Sequence, residues 1–349
     1  MLNVAHIITK SEIGGAQTWV KDQMQLFDGD FNHYLITNKP GWLSNNIRCK
    51  DILYVEGIES KCNLVTLYKI ISFIKKNNID ILVASSANAG FYARLCKLFT
   101  SCRIIYISHG WSCIYNGGKL KGIYILVERV LSFLTDIIIC VSKKDKKNAL
   151  DIIKIRPNKL TYIRNGVFLS STNASSKIIC QNESKEFKVL FLGRLSAPKR
   201  CDILINAINN IPNIKLDIIG DGPLRSELSC AKNIEFLGEI PNFNNFNNFN
   251  NYNLFALISD SEGLPMSALE AASNGIPLLL SNVGGCPELI KDNGLSVENN
   301  VHAISIAIRE IMSNYEIYKK GACILSPFFN IELSKSDYFE VYTNRKLKI

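Results

Sequence analysis

Residues 79–86 read IDILVASS and residues 135–142 read TDIIICVS. Each is a short apolar run in which polar and apolar positions do not alternate. Runs of this length, rich in β-branched residues and bounded by turn formers, mark strands buried on both faces. Such strands belong to parallel sheets covered by helices on either side.

The same alternation covers both halves of the chain. In the first half, strands are expected at 2–9, 33–38, 51–55, 80–86, 103–109, 136–142 and 160–165. Helical patterns fall near 15–27, 64–77, 88–99, 118–134 and 143–150. Residues 167–186, VFLSSTNASSKIICQNESKE, break the pattern and read as a linker. Strands then resume at 188–193, 215–220, 234–238, 254–259 and 277–281, with a weak one at 295–297. Helices are expected near 200–210, 223–231, 265–274, 301–313 and 315–325, and a last one near 331–346. This is an α/β chain with two Rossmann-like, doubly wound domains facing across a cleft. The boundaries are 1–170, a linker at 171–186, 187–330, and a terminal helix at 331–349.

Composition narrows the function. The 349 residues are 47% hydrophobic and 20% charged, which excludes disorder, collagen and coiled coil. The net charge of +9 is uneven: residues 1–180 hold 24 Lys and Arg against 12 Asp and Glu. A basic first half suits an anionic membrane, a polyphosphate ligand or nucleic acid. The excess is diffuse, and the aromatic-rich segment 242–253 (NFNNFNNFNNYN) contains no Lys or Arg, so nucleic acid is not expected. Phe243, Phe246, Phe249 and Tyr252 of that segment read as core packing. The eleven cysteines lack any C-x-x-C or pairing rhythm and read as reduced thiols. No signal peptide is expected, because residues 1–9 form an apolar run without a basic leader. The most apolar long stretch, 122–142, is interrupted by Glu128, Arg129 and Asp136, so it does not read as a bilayer span.

Ligands of doubly wound sheets bind where strands run into helices, so the loops there carry the chemistry. KSEIGGAQTWV places Gly14 and Gly15 at the start of the first helix, where free amides hold phosphate. It is neither the dinucleotide fingerprint nor a P-loop. YISHGW puts His109 at the carboxyl end of a buried strand. In GRLSAPKR, Arg194 and Lys199 flank a helix start with Pro198 close to it, a pairing suited to pyrophosphate. The loop GDGP, at 220–223, is a further glycine turn feeding a helix. In SDSEGLPMSALEAASNGIPLLLSNVGGCPELI, Glu262 precedes a helix begun by Pro265 and Glu270 lies within it. Gly284 and Gly285 open another helix start with Pro287 and Glu288. The triplet Asp28-Gly29-Asp30 looks like a metal-binding D-x-D but falls between the first helix and the second strand, away from those loops. It reads as a surface turn.

Taken in order, the early GG loop, S-H-G, IRNGV at 163–167, GRLSAPKR, GDGP and EGLPMSALEA with GG-x-PE resemble one family over almost the whole chain. The chain is similar to retaining glycosyltransferases of the GT-B fold, glycosyl transferases group 1 or family 4, of the bacterial surface-polysaccharide type. The resemblance implies an acceptor-binding first domain, a nucleotide-sugar-binding second domain and a C-terminal helix, 331–349, crossing back to the first domain. Arg194 and Lys199 would grip the donor diphosphate, Glu270 the ribose, and Glu262 with Gly263, Leu264, Pro265 and Met266 the donor sugar. Gly14 and Gly15 would approach the diphosphate, His109 would sit by the transferred sugar, and Glu288 is a further pocket member. His109, Arg194, Lys199 and Glu262 are the implied catalytic set, with no metal and no cofactor beyond a UDP- or GDP-linked sugar as substrate.

The implied activity moves a hexose or N-acetylhexosamine, with retention, to a lipid-linked (polyprenyl diphosphate) or oligosaccharide acceptor in O-antigen, lipopolysaccharide or capsule synthesis. The implied location is cytoplasmic and peripheral on the inner face of the cell membrane. The basic first half would make the contact, with Lys143, Lys144, Lys146 and Lys147 clustered at a helix start. Two alternatives share the architecture: a nucleotide-sugar epimerase, and an inactive nucleotide-sugar-binding partner. A glycosidase, which sets two carboxylates about 5–9.5 Å apart, has no diphosphate for Arg194 and Lys199 to neutralise.

Overall fold

The computed structural model describes residues 1–60, 62–115, 118–169, 186–228, 231–240 and 249–344. The expected linker at 171–186, Glu186 apart, lies outside the described residues, as do Phe243 and Phe246. The chain divides into two units, Met1–Asn165 with Glu332–Ile349, and Gly166–Ile331.

The first unit holds strands β1 (Leu2–Ile7), β2 (Phe31–Thr37), β3 (Asp51–Tyr54), β4 (Ile81–Ala84), β5 (Arg103–Ser108), β6 (Ile137–Cys140) and β7 (Leu160–Tyr162). They form one parallel sheet in the order β3-β2-β1-β4-β5-β6-β7. Between them run α1 (Gly15–Leu26), α2 (Trp42–Asn45), α3 (Leu64–Lys76), α4 (Ala87–Cys96), α5 (Ser112–Tyr115), α6 (Lys121–Leu131) and α7 (Lys143–Asn148). All four residues of β4 are buried, as the unbroken apolar run 79–86 requires. Helix starts follow local chemistry. Asn63 accepts from the Thr66 amide at the head of α3, while Lys75 and Lys76 face the negative end of its dipole.

The second unit repeats the plan with β8 (Phe187–Leu192), β9 (Ile214–Ile219), β10 (Ile234–Gly238), β11 (Leu254–Leu257), β12 (Leu278–Ser281) and β13 (Gly294–Val297). Their order is β10-β9-β8-β11-β12-β13, again parallel. Its helices are α8 (Cys201–Ile208), α9 (Met266–Ser273), α10 (Val301–Ser313) and α11 (Tyr315–Leu325). Helix α12 (Lys335–Thr343) belongs to the first unit. There it meets α1: Trp19 Nε1 donates to the Tyr338 hydroxyl at 3.4 Å, and the Tyr342 hydroxyl donates to Gln23 Oε1 at 3.2 Å.

Several elements differ in detail from expectation. The single helix at 118–134 is a 3-10 turn, α6, and a second 3-10 turn at Ser132–Leu134. The helix near 223–231 is a 3-10 turn at Pro223–Ser226 among the described residues. Pro198 stands in the loop ahead of α8, behind a cis bond, because the loop pairs with the chain after β11 before the helix begins. Asp28-Gly29-Asp30 forms the turn from α1 into β2, and Asp30 pairs with Lys335 at 2.8 Å. Phe249 and Tyr252 are buried, with the Tyr252 hydroxyl donating to Asp217 Oδ2 at 2.9 Å. The described cysteines all carry free thiols.

Arg94, fully buried on α4, donates to both carboxylate oxygens of Glu128 on α6, at 2.7 and 3.3 Å, and stacks on Tyr106. Removing one partner strands a buried charge. Glu128→Ala should cost about 3–5 kcal/mol in denaturant unfolding. The paired apolar replacement Arg94→Met with Glu128→Leu should cost less than that single change.

Candidate active site

In each sheet the strand order reverses once, between β1 and β4 and between β8 and β11. At such a point the two loops leave in opposite directions and open a crevice at the carboxyl ends of the strands. Both reversals coincide with loops singled out in the sequence.

In the second unit the loop after β8 lies against the chain after β11 through two backbone bonds. The Arg200 amide donates to the Ile258 carbonyl and the Asp260 amide to the Pro198 carbonyl, each at 2.8 Å. Lys199 is thereby fixed opposite Ser259, and its ammonium forms a close ion pair with Glu262 Oε1. Both side chains are largely buried. The glycine pair after β12 braces the other side of Glu262. Gly284 has φ +53°, and a Cβ there would overlap the Glu262 carbonyl oxygen. The Gly285 amide donates to the Gly263 carbonyl at 2.8 Å. The loop after β9 packs on GRLS: Leu195 donates to the Asp221 carbonyl at 2.9 Å and accepts from the Leu224 amide at 3.0 Å. A Cβ at Gly222 would overlap the Leu195 carbonyl.

Four loops therefore converge on one ledge. Arg194 is exposed on it, and its side chain has no partner among the described residues. Gly263, Leu264, Pro265 and Met266 are buried. Pro265 caps α9 without a side-chain hydrogen bond, and the positive end of the helix dipole there favours an anion. Glu270 follows inside α9, part-buried, and Glu288 lies part-buried in the 3-10 turn after the glycine pair. The arrangement offers two cations and a helix start to a phosphate, with carboxylates suited to hydroxyl groups.

In the first unit Gly14 caps α1 and Gly15 is its exposed first residue. The preceding loop is tied to the chain after β4 by Ser86, whose Oγ accepts from the Thr9 amide at 3.0 Å. His109 follows β5 and stacks edge-on against buried Trp19, with ring centroids 5.2 Å apart. Its Nε2 is shielded from solvent and has no hydrogen-bond partner among the described residues. Desolvation lowers its pKa to about 4, so the ring is neutral at pH 7. Among the described residues no three His, Cys, Asp or Glu side chains gather into a metal-binding set.

Two supports were not legible in the sequence. Trp19 orients His109 and is itself held by Tyr338 from the far end of the chain. Asn299 crosslinks the carboxyl ends of three strands. It accepts from Ser281 Oγ at 2.5 Å and donates to the Ser259 carbonyl at 2.8 Å, while Ser281 Oγ accepts from the Ser259 amide. Asn299 follows the weakest expected strand, and no local motif marks it.

Comparison with known proteins gives concordant results. The family model for glycosyl transferases group 1 matches residues 176–321, and that for glycosyltransferase family 4 matches residues 13–171. The chain is 47% identical over 342 residues to the O-antigen biosynthesis glycosyltransferase WbnH of Escherichia coli, covering 97% of this chain and 98% of that one. It is 25% identical over 339 residues to the UDP-Gal:alpha-D-GlcNAc-diphosphoundecaprenol alpha-1,3-galactosyltransferase of Escherichia coli, covering 86% and 84%. Among solved structures it resembles Anabaena HepE, in complex with UDP and glucose, with a TM-score of 0.78 at 15% identity over 98% of this chain and 99% of that one.

Arg194→Ala and Lys199→Ala should each weaken UDP or GDP binding about ten- to a hundredfold by calorimetry, the worth of a charged hydrogen bond. Glu262→Gln keeps a side-chain oxygen to hold Lys199 but removes the competing charge, and should not weaken it. His109 gives a separate, pH-dependent signature. Unfolded, it takes a proton near 6.5; folded, only near 4. Stability present above pH 6.5 is therefore lost as pH falls through that window. His109→Asn should show a shallower loss between pH 7 and pH 4.5 in denaturant titrations.

Proposed function

The chain belongs to the glycosyl transferases group 1 family, as a GT-B glycosyltransferase of O-antigen biosynthesis, and from that premise we propose its chemistry. It moves a hexose or N-acetylhexosamine from a UDP- or GDP-linked sugar, with retention of configuration and without a metal, to a polyprenyl-diphosphate-linked glycan. It works as a peripheral protein at the inner face of the cell membrane. The observation that carries the reading is the ledge at the carboxyl ends of β8 and β11. There Arg194, the Lys199–Glu262 pair and the start of α9 are gathered by backbone contacts.

The mechanism follows from where charge develops. As the anomeric carbon parts from the diphosphate it becomes oxocarbenium-like, and negative charge grows on the leaving oxygen. Arg194, Lys199 and the α9 amides stabilise that charge. Glu262 holds Lys199 before the donor arrives and then meets sugar hydroxyls together with the backbone of Gly263 to Met266. Glu270 accepts from the ribose, and Glu288 completes the pocket. In the first unit the Gly14–Gly15 turn at the head of α1 offers backbone amides to a phosphate. Neutral His109, in the first unit, offers a hydrogen bond to a sugar hydroxyl. The acceptor hydroxyl attacks on the face the diphosphate leaves, and the departing phosphate oxygen takes its proton.

UDP in a neighbour of the same fold and a diphosphoundecaprenol acceptor named for one relative support the choice of substrates. The test is a panel of UDP-hexoses, UDP-N-acetylhexosamines and GDP-mannose, each with a polyprenyl-diphosphate-linked saccharide and with EDTA. The expected result is transfer whose new linkage keeps the donor's anomeric configuration. An inverted linkage refutes retention, and loss of turnover in EDTA refutes metal independence. Isomerised sugar formed without acceptor would identify an epimerase instead.

A further inference from the structure

We propose that the outer face of α6, with the turns at either end, is the surface by which this protein docks on an anionic lipid bilayer. The proposal deepens the reading of a membrane-held acceptor given above and rests on it for its purpose. The binding itself is argued from the face alone.

Leu120, Ile123, Leu126, Val127, Val130 and Phe133 are all exposed, five of them by more than half. Ile123, Leu126, Val127 and Val130 fall within an arc of about 100° on a helix of 3.6 residues per turn. Isolated exposed leucines are ordinary, whereas a contiguous apolar face marks a contact surface. Among the described residues no helix is long and apolar enough to cross a membrane. The geometry is that of a helix lying in the interface, apolar side down.

Charge selects the occupant. The one acidic residue of α6, Glu128, turns inward and is neutralised by Arg94. What remains outside is cationic. Lys119 and Lys121 stand exposed at the start of the face. At its other end Arg156 lies 5.1 Å from the Phe133 ring, and Arg129 Nε donates to the Ile153 carbonyl at 2.7 Å. Lys154, the next residue in the chain, is also exposed, as is Asp151 two residues before Ile153. An apolar strip rimmed by cations complements an anionic headgroup layer, where each Lys or Arg near the surface adds about fivefold to partition.

The experiment is flotation of the full-length protein with vesicles of phosphatidylglycerol and phosphatidylcholine in equal parts, against phosphatidylcholine alone, without donor or acceptor. The expected result is flotation with the anionic vesicles that declines with salt. Leu126→Glu with Val130→Glu should reduce it at least tenfold, and Lys119→Glu with Lys121→Glu should reduce it while leaving the apolar strip intact. Both variants should keep unaltered circular dichroism and unaltered transfer to a detergent-solubilised acceptor. Flotation unchanged in both variants overturns the proposal. So does a dimer in gel filtration that Leu126→Glu with Val130→Glu dissolves while the wild type ignores vesicles. Transfer to the solubilised acceptor reports on the function separately, so failure of either reading is distinguishable.

Discussion

A parallel strand buried on both faces has to leave its sheet through a helix, and every such exit lies at the same edge. That constraint organises both units. It sends the loops after β8, β9, β11 and β12 to one side, where they meet backbone to backbone. The closeness of that meeting is set by atoms that are missing from the side chains. At Gly284 and Gly222 a single added carbon would collide with a neighbouring carbonyl. The loops interlock because those carbons are absent.

The Lys199–Glu262 pair is the chemical product of this packing. Bringing two charges out of water is costly unless each is matched in good geometry, and here each matches the other. The pair keeps a cation largely buried and fixed in orientation, the arrangement that lowers the reorganisation cost of meeting an anion. Arg194 plays the complementary part, exposed on the same ledge with its side chain unengaged by the described residues.

The first unit solves a different problem, that of holding a part-buried imidazole neutral with its Nε2 shielded from water. His109 is clamped by Trp19, and Trp19 by Tyr338, so a helix at the end of the chain orients a residue near its first third. Burial that keeps the ring uncharged at pH 7 also makes acid a threat to stability. On the same unit, Glu128 turned inward toward Arg94 leaves the outside of α6 apolar and cationic.

The sequence alone determined what is periodic or punctuated. Unbroken apolar runs specify doubly buried strands, glycines and prolines specify where strands turn into helices, and the ordered motifs specify the family. It marked Arg194, Lys199, Glu262 and Glu270 because their loops carry local signatures. It did not mark Asn299, Trp19 or Tyr338, whose importance comes from partners distant in the chain. Nor did it reveal that Lys199 is already paired, or that 118–134 is broken by turns with one face left bare. A motif reports what one stretch of chain can do by itself. Which side chain finds which partner, and which face stays uncovered, depends on contacts between stretches, and those exist only once the chain has packed.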